Sequence, residues 1–277
     1  MSAIRIAVAS TPLTATLDEA VPTAVAAIEA AGRLGAAIVC LPETGLPGHR
    51  DQARPVPDVT RAALDDALAT VAAAARDAGV ATIVGTERPT PAGRAIVSAV
   101  FDAEGRPIGE QAKTQIDPGE ERWYVPDRGR RVFTIGDLTF GIAICHEAFR
   151  YPEIARSLAL AGAQVVFVPH FVTTDDGSLP VRWCDAANPY NEKAVMCRAL
   201  ENGVFVAASN AAGPDQGSIT GIIDPDGSLV ASLAYGEVGV VAADIELERA
   251  DRRLALRWAP ERNAIGEAAP NARPVTG

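Results

Sequence analysis

Short apolar runs that alternate with small or polar residues indicate where strands lie in the chain. Ile4, Ile6 and Val8 alternate near the start, and the run 138–145 repeats the same period of two. Further apolar runs predict strands at 36–41, 80–85, 164–168 and 204–208. Strands are therefore expected along most of the chain.

Between these runs, apolar residues recur at helical spacing. A helix is predicted from Asp18 to the glycines at 32–35, because Val21, Val25 and Ile28 fall on one face. A second helix over 60–78 is predicted to stop at Gly79. Two more helices are predicted at 152–161 and 189–202.

Two hairpins are predicted from acidic turns that contain glycine. One spans 96–109 and turns at 102–105; the other spans 218–231 and turns at 224–227. The two hairpins are candidates for equivalent parts of two similar halves. Strands and helices in this order predict an α/β fold with four layers, an α-β-β-α sandwich of two sheets flanked by helices.

Composition favours one soluble domain over residues 1–277, with an irregular tail after about residue 260. The chain has 277 residues, is 48% hydrophobic and shows no linker-like segment. A net charge of −10 argues against nucleic acid or an anionic membrane as a partner. Because no leader-like or membrane-length apolar run is present, a cytoplasmic location is expected.

The cysteines and histidines do not show the spacing of a metal site. Cys40, Cys145, Cys184 and Cys197 form no C-x-x-C pair, and no two of the three histidines are four residues apart. We therefore expect free thiols in a reducing compartment and no bound metal.

Cys145 is a candidate nucleophile because it ends a strand just before a helix. Glu43 and Lys113 follow two other apolar runs in comparable places. A carboxylate can take the thiol proton, while an ammonium and the backbone N–H of His146 can stabilise an oxyanion. A buried structural cysteine is the alternative, since spacing along the chain does not show that the three side chains meet.

Several segments, in order along the chain, resemble signature blocks of the nitrilase superfamily, the carbon–nitrogen hydrolases. They are Leu41–Gly48, Lys113–Tyr124, Gly141–Glu153, Arg198–Asn210 and Gly217–Gly227. The resemblance implies the same four-layer fold, no cofactor, and assembly into a homodimer or a larger homo-oligomer. It also implies hydrolysis of a non-peptide C–N bond through a cysteine thioester.

The resemblance also implies roles for individual residues. Glu43 becomes the general base, Lys113 the stabiliser of the transition state and Cys145 the nucleophile. A second glutamate is expected after the lysine; Glu120 and Glu121 compete for that place, and the Glu-Arg-Trp-Tyr order favours Glu121.

The substrate is expected to be a small amide or N-carbamoyl compound. Nitrilases proper typically carry tryptophan after the nucleophile, whereas this chain has His146. His146, His170 and Phe171 are candidate substrate contacts, and Glu147 and Arg150 are expected to form a local ion pair. The alternatives are a nitrilase that converts a nitrile to an acid, and a binding or regulatory protein that keeps the fold without turnover.

Overall fold

A computed structural model describes residues 3–51 and 54–263. Two six-stranded sheets form its centre. The strands are β1 (Ala3–Ser10), β2 (Ile38–Cys40), β3 (Ala81–Thr90), β4 (Gly93–Phe101), β5 (Pro107–Ala112), β6 (Val132–Ile135), β7 (Leu138–Ile142), β8 (Val165–His170), β9 (Phe205–Asn210), β10 (Gly221–Ile223), β11 (Leu229–Ser232) and β12 (Gly239–Glu246). The helices are α1 (Leu17–Arg33), α2 (Arg61–Ala78), α3 (His146–Arg150), α4 (Pro152–Leu160), α5 (Asn191–Asn202) and α6 (Arg253–Leu256).

The two sheets share one strand pattern. The first has the order β12-β1-β2-β3-β4-β5 and the second the order β6-β7-β8-β9-β10-β11. In each, the second, third and fourth strands are parallel, and the remaining neighbours pair antiparallel. The predicted hairpins are β4–β5 and β10–β11, which occupy equivalent ends of their sheets. The prediction of two similar halves is therefore confirmed.

Alternation along the strands explains the layers. In β1, Ile6 and Val8 belong to the core between the sheets, whereas Ala7 and Ala9 belong to the core beneath α1 and α2. The core between the sheets also includes Phe140 and other apolar side chains of the second sheet. Because β1, β2 and most of β3 bury both faces, their outward apolar residues require helices on the outside. The α-β-β-α sandwich is confirmed.

Capping side chains set the starts of the first two helices. The hydroxyls of Thr16 and Thr60 accept backbone N–H bonds from Glu19 at 3.4 Å and Ala63 at 3.2 Å. Gly79 ends α2 in the left-handed conformation, φ 64°, as its place after the apolar stripe predicts.

Some elements were not predicted from the sequence. Strand β3 continues past residue 85 and forms a long hairpin with β4, and the edge strands β6 and β12 were not predicted. The four-residue β6 and the small, half-exposed side chains of β12 give weak apolar alternation. Of the tail that was expected to be irregular, Pro260–Asn263 forms a short 3₁₀ helix, and residues 264–277 lie outside the described part.

Candidate active site

Cys145 lies between β7 and α3 in a backbone conformation that L-residues rarely adopt. Its φ of 50° and ψ of −116° are costly for a residue with a side chain. The surrounding chain holds it there: Cys145 N–H donates to the Pro169 carbonyl at 3.0 Å, and the Cys145 carbonyl accepts from Ala148 N–H at 2.9 Å. Such strain, held by its neighbours, is typical of functional positions.

Glu43 and Lys113 meet at the ends of β2 and β5. The Lys113 Nζ lies 2.8 Å from Glu43 Oε1, and both side chains are fully buried. Glu43 Oε2 has no ordinary hydrogen bond among the described residues, although the Cys145 thiol is near enough to lower the pKa of that carboxyl. The structure thus brings the predicted glutamate, lysine and cysteine together.

Burial strongly affects the protonation states of Glu43, Cys145 and Lys113. It raises the pKa of Glu43 to about 7, with Lys113 opposing the rise and Glu120 adding to it. Burial also raises the pKa of the Cys145 thiol, and the nearby carboxylates raise it further. For Lys113, burial alone would lower the pKa, but Glu43, Cys145 and Glu120 outweigh it and raise that pKa. The arrangement therefore favours a neutral thiol beside a charged lysine.

Glu120, not Glu121, contacts the lysine. Glu120 Oε2 lies 2.6 Å from Lys113 Nζ, whereas Glu121 is exposed to solvent. A turn explains the choice, since Glu120 N–H donates to the Asp117 carbonyl at 2.8 Å and Trp123 N–H donates to the Glu120 carbonyl at 2.9 Å. This turn directs one glutamate inward and its neighbour outward. The sequence-based preference for Glu121 is corrected accordingly.

A cavity of about 640 Å³ opens above the thiol. Its lining includes Cys145 together with two of the predicted contacts, His146 and Phe171. His170 is not part of that lining: it is fully buried, its Nδ1 lies 2.9 Å from the Val168 carbonyl, and its ring packs edge-on against Phe149. As the last residue of β8, His170 points into the interior, and its predicted contact with substrate is corrected.

The sequence profile of carbon-nitrogen hydrolases matches residues 5–253 of this chain. The chain belongs to the carbon-nitrogen hydrolase family. A Pyrococcus abyssi protein named nitrilase is 30% identical over 243 residues, which are 81% of this chain and 83% of that protein. A Solanum lycopersicum N-carbamoylputrescine amidase is 31% identical over 168 residues, 54% of each protein.

Solved structures share the fold of this carbon-nitrogen hydrolase. A variant of the Nesterenkonia AN1 amidase of the nitrilase superfamily superposes with a TM-score of 0.78 at 24% identity, covering 94% of this chain and 95% of that one. A cysteine-to-alanine variant of that amidase in complex with butyramide has a TM-score of 0.74 at 26% identity, covering 95% and 97%. Among the described residues, no helix has the length and apolar character needed to cross a membrane.

His49 is a residue of this hydrolase that the sequence did not single out. Its Nδ1 lies 3.0 Å from the Thr44 hydroxyl, its Nε2 lies 3.7 Å from Glu120 Oε1, and its ring packs on Phe171. Burial lowers the pKa of His49 to about 3, so the ring is neutral near pH 7. Its position six residues after Glu43, in a loop rich in glycine and proline, was the available signal.

Glu43, His49 and Glu120 place their ligand atoms within 4.8 Å of one another, a spacing that a metal ion could use. The Lys113 ammonium contacts both carboxylates, at 2.8 and 2.6 Å. A cation bound there would face the like charge of the ammonium, which already compensates the carboxylates. These residues therefore fit a lysine-centred site better than a metal site.

Glu147 pairs with Arg130 rather than with Arg150. Arg130 lies 2.8 Å from Glu147 Oε2, and Glu147 is completely buried. Arg150 instead stacks on Tyr190, with its Cζ 4.0 Å from the ring centroid. The expected local ion pair is wrong because Glu147 points inward beneath the nucleophile while Arg150 is exposed at the cavity.

Proposed function

We propose that this hydrolase cleaves the C–N bond of a small amide or N-carbamoyl compound through a thioester on Cys145. The observation that carries the proposal is the buried contact of Lys113 with Glu43 beside a thiol that opens into a cavity. Support also comes from the amidases and N-carbamoylputrescine amidases among the similar proteins.

Formation of the thioester needs a proton acceptor, since the thiol is neutral at rest. Glu43 takes the Cys145 proton as the sulfur attacks the carbonyl carbon, and the C=O π pair moves onto oxygen. The oxyanion faces the Lys113 ammonium and the N–H of His146, which, at the first position of α3, has no partner within the helix. Losing one such donor costs about 10²–10³ in rate.

Collapse of the tetrahedral intermediate expels the amine. The C–N bond breaks, and the proton held by Glu43 passes to the leaving nitrogen, which departs as ammonia or an amine. Glu43 then takes a proton from water, whose oxygen attacks the thioester carbonyl. The C–S bond breaks, the acid leaves, and the proton returns to the Cys145 sulfur.

A nitrilase activity is the second candidate. The Pyrococcus abyssi relative named nitrilase covers most of the chain and favours it. The same thiol could add to a nitrile carbon, giving a thioimidate. One water then converts it to the thioester with loss of ammonia, and a second water hydrolyses the thioester to the acid. Acid formation from a nitrile, with no turnover of the matching amide, would replace the amidase proposal by this one.

The test is a panel of amides, N-carbamoyl compounds and nitriles, followed by ammonia release and intact mass. An acyl adduct on Cys145, and loss of at least ~10³ in kcat in Cys145→Ala, are expected because the nucleophile is removed. Cys197→Ala serves as the matched control, since Cys197 is exposed. Full turnover by a folded Cys145→Ala variant would overturn the mechanism.

We further propose that the protein works in the cytoplasm as a homodimer or larger homo-oligomer. The four cysteines, which form no disulfide, fit a reducing compartment. Light scattering coupled to gel filtration measures the oligomeric state, and a monomer at micromolar concentration would contradict the proposed homo-oligomer.

A further inference from the structure

The cavity above Cys145 continues into a second cavity of about 950 Å³, formed by the loop after β8. Five residues line both cavities: Arg150, Thr173, Asp175, Tyr190 and Asn191. The space reached from the thiol is therefore larger than an amide group needs. It has room for a substrate whose far end lies at this junction.

Most charged side chains in the wall of the first cavity have a partner of opposite charge. The pairs are Arg54–Asp51 at 2.8 Å, Arg50–Glu87 at 2.9 Å and Lys113–Glu120 at 2.6 Å. These groups compensate one another without a ligand. A charged substrate is more sensitive to the groups that lack such compensation.

Arg150 is a cation at the junction with no carboxylate within 4.0 Å among the residues that the structure describes. Its guanidinium lies over the Tyr190 ring, with the Cζ 4.0 Å from the centroid. Stacking orders the guanidinium plane and leaves its edge N–H groups available to an anion. A carboxylate matches that edge with two parallel hydrogen bonds.

The backbone fixes Arg150 relative to the nucleophile. Arg150 ends α3, five residues after Cys145, which corresponds to about 7.5 Å along a helix axis. Arg198 donates to the carbonyls of Ala148 and Phe149, at 2.9 and 3.0 Å, and so anchors the end of α3. The backbone positions of Cys145 and Arg150 are thus fixed relative to one another.

Asp175 is the competing group, because it also lines both cavities and forms no ion pair within the described residues. It lies exposed on the loop after β8. Arg150 is the better anchor, since the Tyr190 ring and the α3 helix hold it in place.

We propose that Arg150 binds a carboxylate at the far end of the substrate, so that the enzyme acts on amides of dicarboxylic acids or on similar acidic amides. The inference builds on the proposed function, since it names the substrate class of the same site. The carboxylate pairs with the guanidinium at the junction while the amide carbonyl lies at Cys145.

Binding measurements test the anchor without requiring turnover. In the Cys145→Ala variant, calorimetry compares glutaramate, its methyl ester and an ω-amino amide of equal length. Glutaramate is expected to bind about 10- to 100-fold more tightly than the ester. Adding Arg150→Met should remove that preference, whereas adding Arg61→Met, on exposed α2 surface, should keep it.

Equal binding of glutaramate and its ester, or a preference that survives Arg150→Met, would overturn the inference. So would tighter binding of the ω-amino amide, which would make Asp175 the selective group. If glutaramate binds as expected but the wild-type enzyme neither hydrolyses it nor forms an adduct on Cys145, the proposed function fails instead. The two failures are thus distinguishable.

Discussion

Glu147 and Thr114 join the two chain segments that carry the lysine and the cysteine. Thr114 donates both its backbone N–H and its hydroxyl to Glu147 Oε2, each at 2.9 Å. The other carboxylate oxygen of Glu147 accepts the N–H of Ile144 at 2.8 Å. Because Thr114 follows Lys113 and Ile144 precedes Cys145, Glu147 is positioned to set the separation of these two side chains.

Glu147→Gln should therefore affect both stability and rate. The substitution leaves the Arg130 guanidinium without its buried counter-ion and removes an acceptor oxygen. Breaking a buried ion pair costs about 3–5 kcal/mol. We therefore expect the free energy of unfolding, measured in urea, to fall by an amount near the lower end of that range. We also expect kcat to fall more than KM rises, because the lysine and the thiol lose their alignment.

Glu153→Gln is the control for that change, since Glu153 lies exposed on α4. A double variant that adds Arg130→Met should recover part of the stability of Glu147→Gln, because the unpaired charge is removed. Equal urea midpoints for Glu147→Gln and Glu153→Gln would contradict the expected loss of stability, and equal kcat values would contradict the positioning role.

Glu120→Gln should lower kcat by about 10²-fold. The Lys113 ammonium would lose its contact with Glu120 and with it part of its orientation, and a displacement of about 1 Å at a reacting centre costs that much. Steady-state kinetics on the best amide measures the loss.

The adjacent Glu121 supplies a matched comparison. Glu121→Gln removes the same charge from an exposed position and should leave kcat within a factor of about two, as for most surface changes. If Glu121→Gln were the more damaging substitution, the assignment from the contact with Lys113 would be wrong.

Glu120 and Glu121 show which part of the site could not be predicted from the sequence. The motif placed a glutamate after the lysine, but neighbouring residues in a turn point in different directions. The choice depends on the backbone bonds at Asp117 and Trp123, which no residue pattern encodes. The pairing of Glu147 with Arg130 was missed for a similar reason, since the partners are 17 residues apart in sequence.

Residues that end strands were easier to predict. Apolar alternation located the strands before Glu43, Lys113 and Cys145. The strands before Glu43 and Lys113 belong to the first sheet and the strand before Cys145 to the second, so the packing of the two sheets brings these residues together. His170 also ends a strand, yet it faces inward, because a shift of one residue reverses the face of a side chain. Its neighbour Phe171 faces the cavity.

Activity should rise with pH through about 7. Burial raises the pKa of Glu43 to about 7, and only the ionised carboxylate can accept the thiol proton. Since the pKa values of Lys113 and Cys145 are raised, neither group should lower the rate just above neutrality. A profile of kcat/KM from pH 5 to 9 should therefore show one acidic limb, with a pKa of about 7.

The same profile on the residual activity of Glu120→Gln tests the assignment. The charge of Glu120 raises the pKa of Glu43, so its removal should move the acidic limb to lower pH. Glu121→Gln should leave the limb in place. A limb that stays fixed in Glu120→Gln would mean that another group controls it.

Cys145→Gly should be more stable than Cys145→Ala. At φ 50° and ψ −116° a Cβ is strained by about 1–3 kcal/mol, which glycine avoids. The greater flexibility of glycine in the unfolded chain offsets about 0.5–1 kcal/mol of that gain. Cys40, within strand β2, is the comparison, because Cys40→Gly should be less stable than Cys40→Ala there. Thermal melts of the four variants measure both differences, and a lower Tm for Cys145→Gly than for Cys145→Ala would show that the turn stores no such strain.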